Sequence, residues 1–224
     1  MAANTVPGAP GVDTKAHWEQ VYRERNADEQ SWFQAEARLS LELIQKAAPD
    51  RSIAFVDVGG GASTLVDGLV GAGYRRLTVL DISGAALSQA RDRLDDRAGY
   101  VEWIEGDVLG ASLPAAAYDF WHDRAVFHFL TDPADRKRYI QEVRRSVRAN
   151  GHVLVATFAE DGPTKCSGLD VVRYTPEALH GEFGADFQVI TSTHEEHTTP
   201  RGGRQSFTYC LCQLVPHVTA ALES

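Results

Sequence analysis

Hydrophobic positions along this chain keep switching between two periods. Over positions 53–58 the residues are almost continuously apolar, Gly59-Gly60-Gly61 interrupts them, and Leu65, Val66, Leu69 and Val70 then recur at helical spacing. Such a pattern predicts a buried parallel strand, a tight turn and a helix. The alternation repeats. Positions 77–80, 100–104, 118–121 and 152–158 read as further strands, separated by two helices. One spans 83–96 with Ala86, Leu87, Ala90 and Leu94 on its buried face; the other starts at Asp132-Pro133, buries Tyr139, Ile140, Val143 and Val147, and ends at Asn150-Gly151. A helix over 175–183, a strand over 187–193, a polar connection over 194–203 and a last strand over 205–214 complete the pattern. Upstream, Trp18, Val21 and Tyr22 share one helical face, as do Leu39, Leu43, Ile44 and Ala47. Strands alternating with helices predict an α/β three-layer sandwich, its seven-stranded sheet mostly parallel with an antiparallel last strand.

Composition narrows the function. A chain of 224 residues that is 43% hydrophobic can bury one full core. The expected organisation is a disordered tail over 1–13, helices over 14–49, a core over 50–215 and a short tail over 216–224. A net charge of −9 without a long basic run argues against nucleic acid. No apolar stretch reaches the ~20 residues of a membrane span, and the first residues lack the basic start and apolar run of a secretion signal. Three cysteines form neither a disulfide framework nor a zinc pattern, so a cytoplasmic setting is expected. Cys210 and Cys212 read as buried thiols sharing one strand face. His194 and His197, three apart near a strand end, fall on opposite faces, and no metal site is expected.

The chemistry concentrates at the ends of the early strands. Glycines at 59–61 let the backbone turn and approach a ligand without a Cβ in the way. Asp81, twenty residues past Gly61 at the end of the second strand, stands where a carboxylate takes the hydroxyls of a ribose. The dinucleotide fingerprint needs glycine at 64, and Thr64 stands there. The run Asp57-Val58-Gly59-Gly60-Gly61 resembles instead motif I of the class I, Rossmann-like S-adenosylmethionine-dependent methyltransferases. That resemblance implies a cofactor whose amino-acid portion is flanked by Asp57, Gly59, Gly60 and Gly61, whose ribose is gripped at Asp81-Ile82, and whose adenine meets Asp107 and Val108 of Gly106-Asp107-Val108.

The upstream pattern His17-Trp18-Glu19-Gln20-Val21-Tyr22, followed by Trp32-Phe33-Gln34, is similar to the N-terminal lid of thiopurine and thiol methyltransferases and of elongation-factor lysine methyltransferases. Carried over, residues 14–49 form a lid, Trp32 and Phe33 close over the sulfonium, and Phe33 helps shape the acceptor pocket. Trp18 and Tyr22 are expected chiefly to pack their helix.

At the end of the fourth strand, His122-Asp123-Arg124 places three ionisable residues together, which is costly unless a site uses them. His122, Asp123 and His128 are the candidate catalytic groups, with His122 also at the cofactor. Arg124 and Cys166 are candidate lining of the acceptor pocket. The amide and adenine N-methyltransferase motif Asn/Asp-Pro-Pro-Tyr/Phe is absent. The resemblance thus implies methyl transfer to a small-molecule nucleophile such as a thiol, with protein lysine, carried on a basic protein, as the alternative acceptor. A nicotinamide-dependent oxidoreductase and a non-catalytic cofactor binder are the rival classes.

Overall fold

The computed structural model describes residues 13–215; apart from Asp13, the tails expected over 1–13 and 216–224 lie outside the described residues. Strands β1 (Ala54–Val58), β2 (Arg76–Asp81), β3 (Val101–Glu105), β4 (Tyr118–Arg124) and β5 (Val147–Phe158) run parallel. The hairpin of β6 (Lys165–Cys166) and β7 (Leu169–Asp170) follows, then β8 (Phe187–Thr198) and β9 (Arg204–Leu214). The seven-stranded sheet has the order β3-β2-β1-β4-β5-β9-β8, and β9 is antiparallel to both neighbours, as the pattern predicts. Strand order reverses between β1 and β4, both of which start outward from the middle of the sheet. Their carboxyl ends therefore border a crevice, the usual binding edge of an open parallel sheet.

Alternation along each central strand feeds two cores. Phe55 and Phe120 face helices α2 (Arg38–Ala47), α3 (Leu65–Gly71) and α4 (Gly84–Leu94). Val56, Val58 and Trp121 face α5 (Pro133–Ser146) and α6 (Pro176–Phe183). Period-2 side-chain geometry makes this division automatic. The helices start where short polar side chains cap them: Ser83 accepts from Ala86 N, Asp132 from Ala134 N, and Thr175 from Ala178 N.

Two expectations change. Asn150-Gly151 does not end a helix; α5 stops at Ser146, and Asn150, with φ of 64°, sits in an irregular stretch of β5 where the pairing with β4 shifts register. Strand β8 continues through His194–Thr198 rather than ending at Thr193, because β9 begins at Arg204 and pairs with it as far as Thr198. On that extension His194 is exposed and His197 buried, so the two imidazoles do face opposite ways.

The first helix, α1 (Thr14–Glu24), contributes no buried residue to either core. It is docked by polar contacts: Glu19 Oε1 accepts from Gly84 N at 2.6 Å, at the start of α4, and Gln89 Nε2 donates to Tyr22 O at 2.7 Å. Lys15 pairs with Glu105 at the end of β3. No helix among the described residues is long and apolar enough to cross a membrane.

Candidate active site

Beneath α1, at the carboxyl ends of β1, β2, β3 and β4, lies a cavity of about 380 Å³. Val58, Gly59, Asp81, Ile82, Asp107 and Val108 line one side. Four aromatic rings line another. Trp18 meets Trp32 edge to face at 5.6 Å and Phe129 at 5.3 Å, and Tyr22 stands 6.3 Å from both indoles. Cys166, Leu169 and Asp170 of the β6–β7 hairpin close the wall. A smaller cavity of about 50 Å³ adjoins it at Tyr22, Trp32, Gly59 and Arg124, and continues along Asp57, Gly60, Ser63, Thr64, Phe33 and Gln34.

The glycine turn is shaped by close approach. Gly59 holds φ of 66°, and a Cβ there would lie 1.9 Å from Val126 Cγ2. A Cβ on Gly61 would meet Asp81 Oδ2 at 2.6 Å, and one on Gly60 would meet Asp57 Oδ2 at the same distance. The backbone thus lies directly against both carboxylates, leaving their outer edges to the cavities.

Asp81 and Asp107 are electrostatically prepared for donors. Asp81 is 7% exposed, and its Oδ1 accepts only from Ser83 N, at 2.8 Å. Burial lifts its pKa from 3.8 to about 7, with the Asp57 and Glu19 carboxylates pushing the same way. Asp107 is held by Leu109 N at 3.0 Å, and burial raises it as well. A cradle without Cβ atoms beside two desolvated carboxylates, at the positions where the sequence resemblance expects a ribose and an adenine, fits S-adenosylmethionine.

The candidate catalytic groups fare differently. His122 does not project as a free base: it is 3% exposed, with Nδ1 2.7 Å from Asp57 Oδ1 and Nε2 3.0 Å from Ser40 Oγ on α2. Asp57 and His122 pair directly across β1 and β4, which is why the carboxylate and imidazole meet. Asp123 points to the other face. It is wholly buried; Oδ1 accepts from Val126 N at 2.9 Å, and Oδ2 from Phe127 N at 3.0 Å and from the Tyr139 hydroxyl at 2.6 Å. Burial pushes its pKa up to about 6. His128 is a core imidazole whose Nδ1 accepts from Phe158 N at 3.3 Å, and burial lowers it to about 3, so it stays neutral. Alternation along β4 sends successive side chains to opposite faces, and neither Asp123 nor His128 lines a cavity. His122 lines the smaller cavity with both ring nitrogens engaged, whereas Asp123 and His128 are held in the packed core.

Of the acceptor-side candidates, Arg124 and Cys166 line the large cavity, and Trp32 lines both. Phe33 lines only the smaller one, beside the glycine turn. Burial pushes the Cys166 thiol up to about 12, which leaves it protonated and unreactive. Sequence reasoning passed over Glu19, which docks the lid, and took Trp18 and Tyr22 as packing residues although they face the cavity. Their signal was present: an aromatic face on a helix otherwise too polar to join the core.

Comparisons agree with this geometry. Residues 55–151 match the methyltransferase domain family. The mouse eEF1A lysine and N-terminal methyltransferase is 23% identical over 150 residues, which are 64% of this chain and 21% of that protein. The chain thus spans about a fifth of the length of the curated relatives it matches. Among solved structures, one described by the conversion of a disulfide bond into a thioacetal group during echinomycin biosynthesis superposes with a TM-score of 0.72 at 16% identity, covering 92% of this chain and 94% of that one. The N-methyltransferase NodS from Bradyrhizobium japonicum, in complex with S-adenosyl-L-homocysteine, gives 0.67 at 15% identity, covering 88% and 97%. Strand order and domain match converge: residues 55–151 carry a methyltransferase domain, on the Rossmann-like α/β fold shared with solved S-adenosylmethionine-dependent methyltransferases.

Proposed function

We propose that this enzyme methylates a small soft nucleophile, a thiol or a comparably acidic group, inside the aromatic chamber. The observation that carries the reading is the lack of an available base among the described residues lining the large cavity. Its ionisable groups are Asp81 and Asp107, committed to the nucleoside, Asp170, ion-paired with Lys165 at 3.0 Å, Tyr22 and Cys166, which burial keeps protonated, and the cationic Arg124. An acceptor that surrenders its proton to water near neutral pH needs none of them, whereas a lysine amine with pKa ~10.4 does.

The bound cofactor supplies an electrophilic methyl group on a sulfonium. The chain's own residues align and enclose: Asp57 and Gly59–Gly61 border the amino-acid portion, Asp81 and Ile82 the ribose, and Asp107 and Val108 the adenine. Trp18, Tyr22, Trp32 and Phe129 exclude water from the reacting atoms and present ring faces that favour positive charge. Cys166 and Leu169 form an apolar rest for the acceptor.

Rates should be measured with labelled S-adenosylmethionine and two thiols differing in acidity, beside a lysine-containing basic peptide. The expected result is turnover of thiols with a pH profile whose midpoint follows the thiol's own pKa. Turnover of the peptide alone would overturn the soft-acceptor reading and favour protein lysine, the acceptor named for the curated relatives.

A further inference from the structure

The smaller cavity must take a zwitterion if the cofactor spans both spaces, and its polar groups are mostly engaged already. Thr64 Oγ1 donates to Gln34 O at 3.0 Å, Ser63 Oγ accepts from Leu65 N at 3.1 Å, and both nitrogens of His122 have partners. One strong cation remains. Among the described residues lining the two cavities, Arg124 carries the single guanidinium or ammonium group, and it lines both.

Its setting is rigid. Nε donates to the Tyr209 hydroxyl at 2.9 Å, one terminal nitrogen to Trp32 O at 3.2 Å, and the other to Glu195 Oε2 at 3.3 Å, while the plane lies 4.0 Å over the Phe207 ring. Tyr209 in turn donates to Glu195 at 2.8 Å, and Gln34 Nε2 donates to the other Glu195 oxygen at 2.8 Å. A guanidinium has five N–H groups, so three bonds leave two for a ligand. The partners that fix it belong to β8, β9 and the loop carrying Trp32, so the one group that can meet a carboxylate also holds the lid.

We propose that Arg124 receives the α-carboxylate of S-adenosylmethionine and, through its bond to the Trp32 carbonyl, joins capture of that carboxylate to closure of the aromatic lid. This rests on the cofactor assignment and moves Arg124 from the acceptor side to the cofactor side. A planar fork of donors matches a carboxylate in a way a lysine does not. Its neighbour Glu195 keeps the site near neutral before the ligand arrives, and the ligand's own ammonium faces Asp57.

The test compares two ligands by calorimetry: S-adenosylhomocysteine and 5′-deoxy-5′-methylthioadenosine, which has the same nucleoside thioether without the amino acid. Wild-type protein should prefer the first by roughly 10- to 100-fold, the range for a charged hydrogen-bonded pair. Arg124→Met should erase that preference while leaving methylthioadenosine affinity within about threefold, and Arg124→Lys should keep part of it. Tyr209→Phe, which removes a prop but no charge, should retain it. Equal weakening of both ligands by Arg124→Met, or an undiminished preference in Arg124→Met and Arg124→Lys, would overturn the assignment. Equal wild-type affinity for the two would overturn it and leave the cofactor reading standing; wild-type binding of neither would remove both.

Discussion

Replacing Asp81 by Asn separates what a buried carboxylate costs the empty protein from what it contributes once a ribose is bound. Asp81 is 7% exposed, carries a single backbone hydrogen bond, and titrates at about 7 instead of 3.8 because burial disfavours its charge. A raised acid pKa means the folded chain holds a proton that the unfolded chain has released. Stability therefore falls as pH rises through the window from 3.8 to about 7, and levels off above it. At 1.36 kcal/mol per pH unit, the raised pKa costs the unliganded fold about 4 kcal/mol at pH 8, where the side chain is ionised, and about 1.5 kcal/mol at pH 5, where the fold must hold it protonated. Asparagine keeps the acceptor for Ser83 N and has no charge to desolvate. Urea titrations should show Asp81→Asn gaining on wild type by about 2.5 kcal/mol more at pH 8 than at pH 5. Calorimetry at pH 8 should show the reverse preference for function, with S-adenosylhomocysteine bound roughly 10- to 100-fold more weakly by the variant. A stability difference that stays constant between those pH values would refute the desolvation argument. Undiminished ligand affinity would refute the placement of the ribose.

Gly59→Ala should abolish cofactor binding and lower the melting temperature, since a Cβ 1.9 Å from Val126 Cγ2 at φ of 66° forces the turn apart; a variant that binds normally would show the turn to be adaptable. Glu19→Ala leaves Gly84 N without its partner and should loosen α1 by about 1–2 kcal/mol, read as faster proteolysis of the first 25 residues and several-fold weaker ligand binding. Asp123→Asn puts an amide NH₂ against donors and should destabilise by about 2–3 kcal/mol while leaving turnover per folded molecule unchanged; a fall in turnover alone would restore it to catalysis. Cys166→Ala should retain activity, and the wild-type thiol should resist iodoacetamide at pH 8.

The sheet was legible because its signal is local: five apolar runs, the first, second and fourth of them followed by a turn and a helical stripe, leave one economical topology once crossovers are right-handed. Asp57, Asp81 and Asp107 could be placed because each ends a strand at the same edge, so chain position alone puts them at one crevice. Boundaries that depend on a partner strand were not readable in this way. The stretch 194–198 is polar and looks like a connection, yet it is strand because β9 pairs with it and because Glu195 and His197 turn inward to hold the lid, His197 Nε2 lying 2.9 Å from Ser31 O. Asn150-Gly151 likewise carries the usual residues of a helix end, but the register of β4 draws it into β5.

The cluster His122-Asp123-Arg124 shows why density of ionisable residues is a weaker guide than direction. Within a strand, neighbours part company at every step: His122 and Arg124 share the face that borders the cavities, His122 tied to Asp57 and Ser40 and Arg124 lining both spaces, while Asp123 turns away toward Tyr139. The energetic expectation that three such groups are costly unless used holds, but the use differs. His122 fixes the motif I carboxylate, and Asp123 caps the turn whose Val126 and Phe129 line the cavity. Both hold the geometry of the strand ends that border the cavities, which suits the proposed reaction: an already activated methyl group asks its protein for alignment and exclusion of water, with proton transfer left to a soft acceptor.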